Sequence, residues 1–172
     1  MIKHLDLPLD KDAVWDLIAG EPVLLTGILY AARDAAHRRL YEAIRQNQEL
    51  PIPLEGQAIY YVGPSPARPG QVIGSAGPTT SGRMDVFTPS LIERGLRVMI
   101  GKGSRSNEVI AAMQKYGAVY LAAIGGAGAM LAKCITESEI VAYPELGPEA
   151  IRLMRVEQFP AVVAIDARGN DC

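Results

Sequence analysis

The stretch PVLLTGILYAARDAAHRRLYEAIRQN, residues 22–47, decides the class of this fold. Its first part, PVLLTGILYAA, carries no charge and reads as a buried strand, with Gly27 at a point where something approaches closely. Arg33 sits at the end of that strand. Asp34 then opens a helix in which Ala36, Leu40, Ala43 and Ile44 recur at helical spacing. A buried strand running straight into an amphipathic helix is the first half of a βαβ unit, and such units pair their strands in parallel.

Outward from this unit the alternation continues. Upstream, KDAVWDLIA (11–19) reads as a short helix after an Asp10 cap, stopped by Gly20. Downstream, residues 48–56 form a loop and AIYYVG a strand, and from Gly63 to Gly82 four prolines and five glycines spell turns. A loop that long inside a compact domain is uncommon and often functional. Thr88 and Pro89 supply an N-cap and a first-turn proline for the helix LIER, which Gly95 ends. LRVMI is a strand, Ser106 caps the helix NEVIAAMQKY, Gly117 closes it, and AVYLAAI is the next strand. GGAGAMLAKC (125–134) reads as a glycine-opened helix, and ITESEIVAYPEL, AIRLMRVEQ and PAVVAID as strands. The expected architecture is one α/β domain over residues 1–172, with a mainly parallel sheet and antiparallel additions.

Seventeen basic against nineteen acidic residues, a net charge of −2 and no like-charge block exclude the footprint of a nucleic-acid binder. Neither a basic leader nor an apolar run of eighteen residues occurs, so the expectation is a cytoplasmic chain with no membrane attachment. Cys134 and Cys172 are too far apart in sequence to suggest a disulfide framework or a metal-ligand motif. Cys134, at the end of an apolar helix, reads as a small buried hydrophobe.

Three loops each follow a strand and carry a cation: Arg33 in AARDAAH, Arg83 in GPTTSGRMD, and Lys102 with Arg105 in GKGSRS. In open α/β sheets ligands gather at the carboxyl ends of strands, so converging loops of this kind suit an anion such as a small dicarboxylate or a phosphate. The phosphate fingerprints fail. Lys102 is followed by Gly103 rather than Ser or Thr, and Gly126 and Gly128 lack the third glycine of a dinucleotide loop. GGAGA serves tight helix packing or an anion at a helix start. Of the two histidines, His4 is terminal and solvated, and His37 either lines the same site or serves its helix face. Threonine remains as candidate acid or base, although a hydroxyl is too weak an acid at neutral pH without help.

GPTTSGRMD, KGSRS, YLAAIGGAGA, YPELGPEAI and FPAVVAIDARGND, together with TGILYAARDAAH, resemble the β subunit or C-terminal domain of class I fumarate hydratases and the related L-tartrate dehydratases. The resemblance spans nearly the whole chain. It implies a swivelling β/β/α fold and a hydro-lyase whose [4Fe-4S] cluster is carried by a partner α subunit, or by an N-terminal domain in single-chain relatives, through three cysteines that this chain lacks. It further implies that Thr79 is the base and that Arg33, Arg83 and Lys102 grip the substrate. GPTTSGRMD is then a site loop. Ser81 stands where many relatives have alanine and Ser104 where many have asparagine, and the Arg83 to Lys102 spacing is one residue shorter than in single-chain relatives. The expected reaction is reversible hydration of a four-carbon dicarboxylate, fumarate to malate first and tartrate dehydration next, with mesaconate open. The alternative is a stand-alone anion-binding or regulatory module without catalysis.

Overall fold

Strands β2 (Pro22–Ala31) and β7 (Ile151–Ile165) form an antiparallel spine that runs from Pro22 opposite Val162 to Ala31 opposite Arg152. The structure, a computed structural model, describes residues 1–124 and 128–172. On the far edge of β2 lie β1 (Lys3–Leu7) and then β3 (Ala58–Tyr60), both parallel to it. From β3 the parallel order continues through β4 (Val98–Gly101) to β5 (Val119–Ala123). β5 pairs antiparallel with the end of β7, whose first half takes β6 (Ile135–Ala142). β2, β3, β4, β5 and β7 thus close a hydrogen-bonded circuit, with β1 and β6 beside it.

Each face of this sheet has its own apolar core. Val98 and Ile100 of β4 join Leu25, Leu29, Phe159 and Val163 in one cluster, while Met99 between them joins the other. Burial on both faces explains why these strands read as continuous apolar runs. Helices α2 (Asp34–Arg45), α3 (Thr88–Glu93) and α4 (Asn107–Tyr116) cover the second cluster with Leu40, Leu91, Ile92, Val109 and Met113. α1 (Lys11–Asp16) adds Val14 to the first, and α5 (Gly128–Ala132) adds Leu131. Asp10 caps α1 by accepting from the Ala13 N–H at 2.7 Å, and Ser106 caps α4 by accepting from Val109. Gly117, at φ +83°, closes α4 in the left-handed region.

The expected α/β class with a mixed sheet holds, and so does the close approach at Gly27. A Cβ added there would lie 2.9 Å from the Leu7 nitrogen, because β1 ends against it. Four boundaries differ from the sequence reading. KHLDL forms β1, an outer strand with His4 and Asp6 exposed at alternate positions. AIRLMRVEQ and PAVVAID are one strand: Gln158, at φ +48°, bends it, and Pro160 stays in the ladder because its carbonyl accepts from the Ile124 N–H. YPEL leaves β6 for a 3-10 turn, Pro144–Glu149, since prolines 144 and 148 have no N–H for a ladder. Thr88 does not cap α3. Its hydroxyl donates inward to the Met84 carbonyl at 2.8 Å, and Phe87 holds the cap position. Residues 125–127 of the GGAGA motif lie outside the described residues.

Candidate active site

Three neighbouring parallel strands deliver their carboxyl ends to one place. β2 leads into Arg33, which stands at the N-cap position of α2 with extended backbone. β3 leads into Tyr61, whose carbonyl accepts the Thr79 N–H at 2.7 Å. β4 leads into Lys102, whose carbonyl accepts the Ser81 N–H at 2.8 Å and which forms a β-bridge with Thr80. The loop around Thr79 is therefore laid across the ends of β3 and β4 by its own backbone. Two glycines make room at the site, one for this loop and one for the Arg33 side chain. At Gly101 an added Cβ would fall on the Ser81 hydroxyl and within 2.8 Å of the Tyr61 ring, and at Gly63 one would lie 2.7 Å from Arg33 Cδ.

All four residues singled out in the sequence meet in this cluster. Arg83 lies in a 3-10 turn, Ser81–Met84, and donates from Nε to Asp34 Oδ2 at 2.9 Å. Arg33 Nε lies 3.8 Å from Asp34 and 3.9 Å from Glu149. Lys102 is exposed and makes no ion pair among the described residues. Thr79 is half-buried, and no protein group among the described residues hydrogen-bonds its hydroxyl. Among the described residues the site thus presents three cations, two of them facing acids, and a hydroxyl without a protein partner.

Arg105 does not join them. Its side chain is fully buried, with Nε donating to Asp85 at 2.7 Å and Nη2 donating to the Tyr61 and Thr88 hydroxyls at 3.1 Å each. Its guanidinium also lies 4.8 Å from the Tyr120 ring centre. The other Asp85 oxygen accepts the Ser106 N–H at 2.7 Å, so one carboxylate joins the site loop to the start of α4. Beneath the loop, Tyr120 donates to the Gly103 carbonyl, which leaves its oxygen to accept from Ser81 at 2.7 Å. Burial pushes the Tyr120 hydroxyl up to about 12, so it stays neutral.

His37 is fully buried under the site, edge-on to Tyr61 at 5.3 Å. Its Nδ1 meets the Arg33 carbonyl at 2.8 Å; a carbonyl only accepts, so Nδ1 carries the proton and Nε2 is bare. Burial lowers its pKa to about 4, against the opposing pull of the Arg33 carbonyl. The unfolded chain, with an ordinary histidine, takes up the proton first as pH falls. Stability is therefore complete above about pH 6.5 and declines toward pH 4, by about 3 kcal/mol in all. Thermal melting of the chain between pH 7 and 4 should show this slope, and His37→Gln should flatten it; an unchanged slope in the variant refutes the assignment to His37.

Asp34, Glu149 and Asp85, the acids that pair with these arginines, were not foreseen as site residues. In sequence Asp34 reads only as a helix opener, and the one usable signal is its place beside Arg33 in ARDAAH. Cys134 is half-buried rather than buried, with Sγ 3.8 Å from the Gln158 carbonyl, and its partial burial raises the thiol pKa. Gly128 packs against the loop before Thr79: its carbonyl accepts the Ala76 N–H, and an added Cβ would lie 2.7 Å from the Gly77 nitrogen. Among the described residues no three His, Cys, Asp or Glu side chains gather as metal ligands, and no helix is long and apolar enough to cross a membrane.

Residues 2–172 match the family described as Fumarase C-terminus. The chain is 46% identical over 149 residues to the anaerobic class I fumarate hydratase of Escherichia coli K12, covering 86% of this chain and 27% of that protein. It is 40% identical to fumarate hydratase 2 of Leishmania major, covering 97% of this chain and 30% of that one. A putative L(+)-tartrate dehydratase subunit beta of Methanocaldococcus jannaschii is 38% identical over 94% of this chain and 86% of its own length. The chain thus spans under a third of the fumarate hydratases just named but most of the tartrate dehydratase subunit. Matched along almost its full length, and with the strand ends and loops of the site inside the match, the chain belongs to the fumarase C-terminus family.

Proposed function

We propose that this chain is the substrate-gripping β subunit of a hydro-lyase that adds water to, and removes it from, a four-carbon dicarboxylate, with fumarate and malate first and tartrate second. What carries the reading is the meeting, at the ends of three parallel strands, of Arg33, Arg83, Lys102 and Thr79, whose hydroxyl has no protein partner among the described residues. The terminal nitrogens of each arginine grip a carboxylate with two hydrogen bonds, and Lys102 adds a point charge. Thr79 then exchanges the proton of the substrate carbon. Neighbouring positive charge lowers the cost of its alkoxide, as it does for any anion.

An iron-sulfur cluster does not fit the residues of this chain. A cubane needs cysteine thiolates gathered around it, whereas Cys134 packs beside Gln158 and Cys172 beside Val163. We therefore place the [4Fe-4S] cluster on a partner α subunit and derive no step from it here. The test is to produce the chain with such a partner, rebuild the cluster without oxygen, and assay fumarate, L-malate and L-tartrate side by side. Turnover should require both chains. In that complex Arg83→Lys keeps the charge but loses the two-pronged grip, so kcat/KM should fall about 30-fold. A loaded complex inactive on all three acids would count against the reading, and wild-type efficiency in Arg83→Lys would remove Arg83 from the grip.

A further inference from the structure

Asp34 lies between the two arginines and turns one oxygen to each. Oδ2 accepts from Arg83 Nε at 2.9 Å. Oδ1 faces Arg33 Nε at 3.8 Å, and both atoms are screened from solvent without a hydrogen-bond partner among the described residues. Glu149 secures the same corner: it accepts the Ala35 N–H at 3.1 Å and approaches Arg33 Nε at 3.9 Å. A guanidinium donates from its Nε side and, separately, from the edge made by its two terminal nitrogens. Contacts made on the Nε side leave that second edge available.

We propose that Asp34 is a positioning residue of the substrate site, holding the Nε sides of Arg83 and Arg33 so that their terminal edges are set for carboxylates. This inference rests on the dicarboxylate reading above. The same carboxylate also opposes an incoming anion, so its two effects on affinity have opposite signs. Positioning dominates. The repulsion acts across a half-exposed, screened site, whereas the 2.9 Å hydrogen bond acts directly on the orientation of the fork.

Two substitutions at Asp34 separate the effects, in the assembled, cluster-loaded complex with dicarboxylate as variable substrate. Asp34→Ala removes both the acceptor and the charge; Asp34→Asn removes the charge and keeps an acceptor for Arg83. The alanine variant should raise KM about three- to tenfold while kcat changes by no more than about twofold, the scale of a partly exposed charged pair. The asparagine variant should recover most of that loss. In an Arg83→Ala background the effect of Asp34→Ala should shrink to the smaller part that acts through Arg33, because the closer of its two contacts is already gone.

KM falling in both variants would make Asp34 a competitor of the substrate and overturn the proposal. So would an unchanged KM in Asp34→Ala, or a loss of kcat that tracks a drop in melting temperature, which marks a merely structural role. A wild-type complex without dicarboxylate turnover removes the functional reading and this inference together. An active wild type with any of the contrary variant results removes the inference alone.

Discussion

Replacing Thr79 by valine should lower turnover of the assembled, cluster-loaded enzyme by roughly 100- to 10,000-fold, the usual contribution of a general base. Substrate affinity should change far less, because Arg33, Arg83 and Lys102 stay in place. Valine matches threonine in shape and leaves the Thr79 N–H on the Tyr61 carbonyl untouched. The lost hydroxyl strands no neighbour, since no protein group among the described residues bonds to it. Thr80→Val is the control. Thr80 is exposed, with its backbone bridged to Lys102, and an adjacent residue does not readily aim its hydroxyl at the carbon that Thr79 serves, so its loss should be mild. Iron content must be measured in both, because a lost cluster imitates a lost base. Normal turnover in Thr79→Val with a full cluster moves the proton transfer to another group.

Arg105→Met should destabilise the chain by about 3–5 kcal/mol, because it leaves Asp85 largely buried without its partner. For a chain of this size that is a drop in melting temperature of about 6–20 °C. The cause would be the stranded carboxylate more than a lost attraction, so adding Asp85→Asn should restore part of the loss. Asp85 also accepts the Ser106 N–H, so recovery in the double variant should be incomplete. A shift of less than about 2 °C in Arg105→Met would show that the buried pair does not hold the site loop to α4.

The comparison between Lys102 and Arg105 shows what local sequence carries and what it does not. Both stand in GKGSRS, both are cations in a glycine-rich loop, and sequence alone treats them alike. Their fates differ because Asp85, twenty residues upstream of Arg105, folds back beneath it, while Lys102 meets no acid among the described residues. The strand-end cations and the glycines around them were legible because both needs are local: a turn shape and a charge at the end of an apolar run. Ion-pair partners were not, since Glu149 reaches Arg33 from far along the chain. β1 is hidden in the sequence for a related reason. As an outer strand it keeps Lys3, His4 and Asp6 in KHLDL, which breaks the apolar run that revealed the central strands. The single β7 reads as two strands because local sequence shows the missing N–H of Pro160 but not the register opposite Leu24 that tolerates it.

The closure of the strand circuit bears on how the chain is made. Pro22 must find Val162, and Tyr120 must find Ile165, so the closing seam joins strands far apart in sequence, and β7 is made after all its partners. Pairings this distant in sequence form slowly. On the ribosome, β2 and β5 are complete well before β7 emerges, and each then presents a bare row of N–H and C=O groups along one edge. Such edges recruit other chains. Translation of β7 is thus the step that ends exposure to intermolecular pairing, and a pause or truncation just before Ile151 leaves the nascent chain in its most aggregation-prone form.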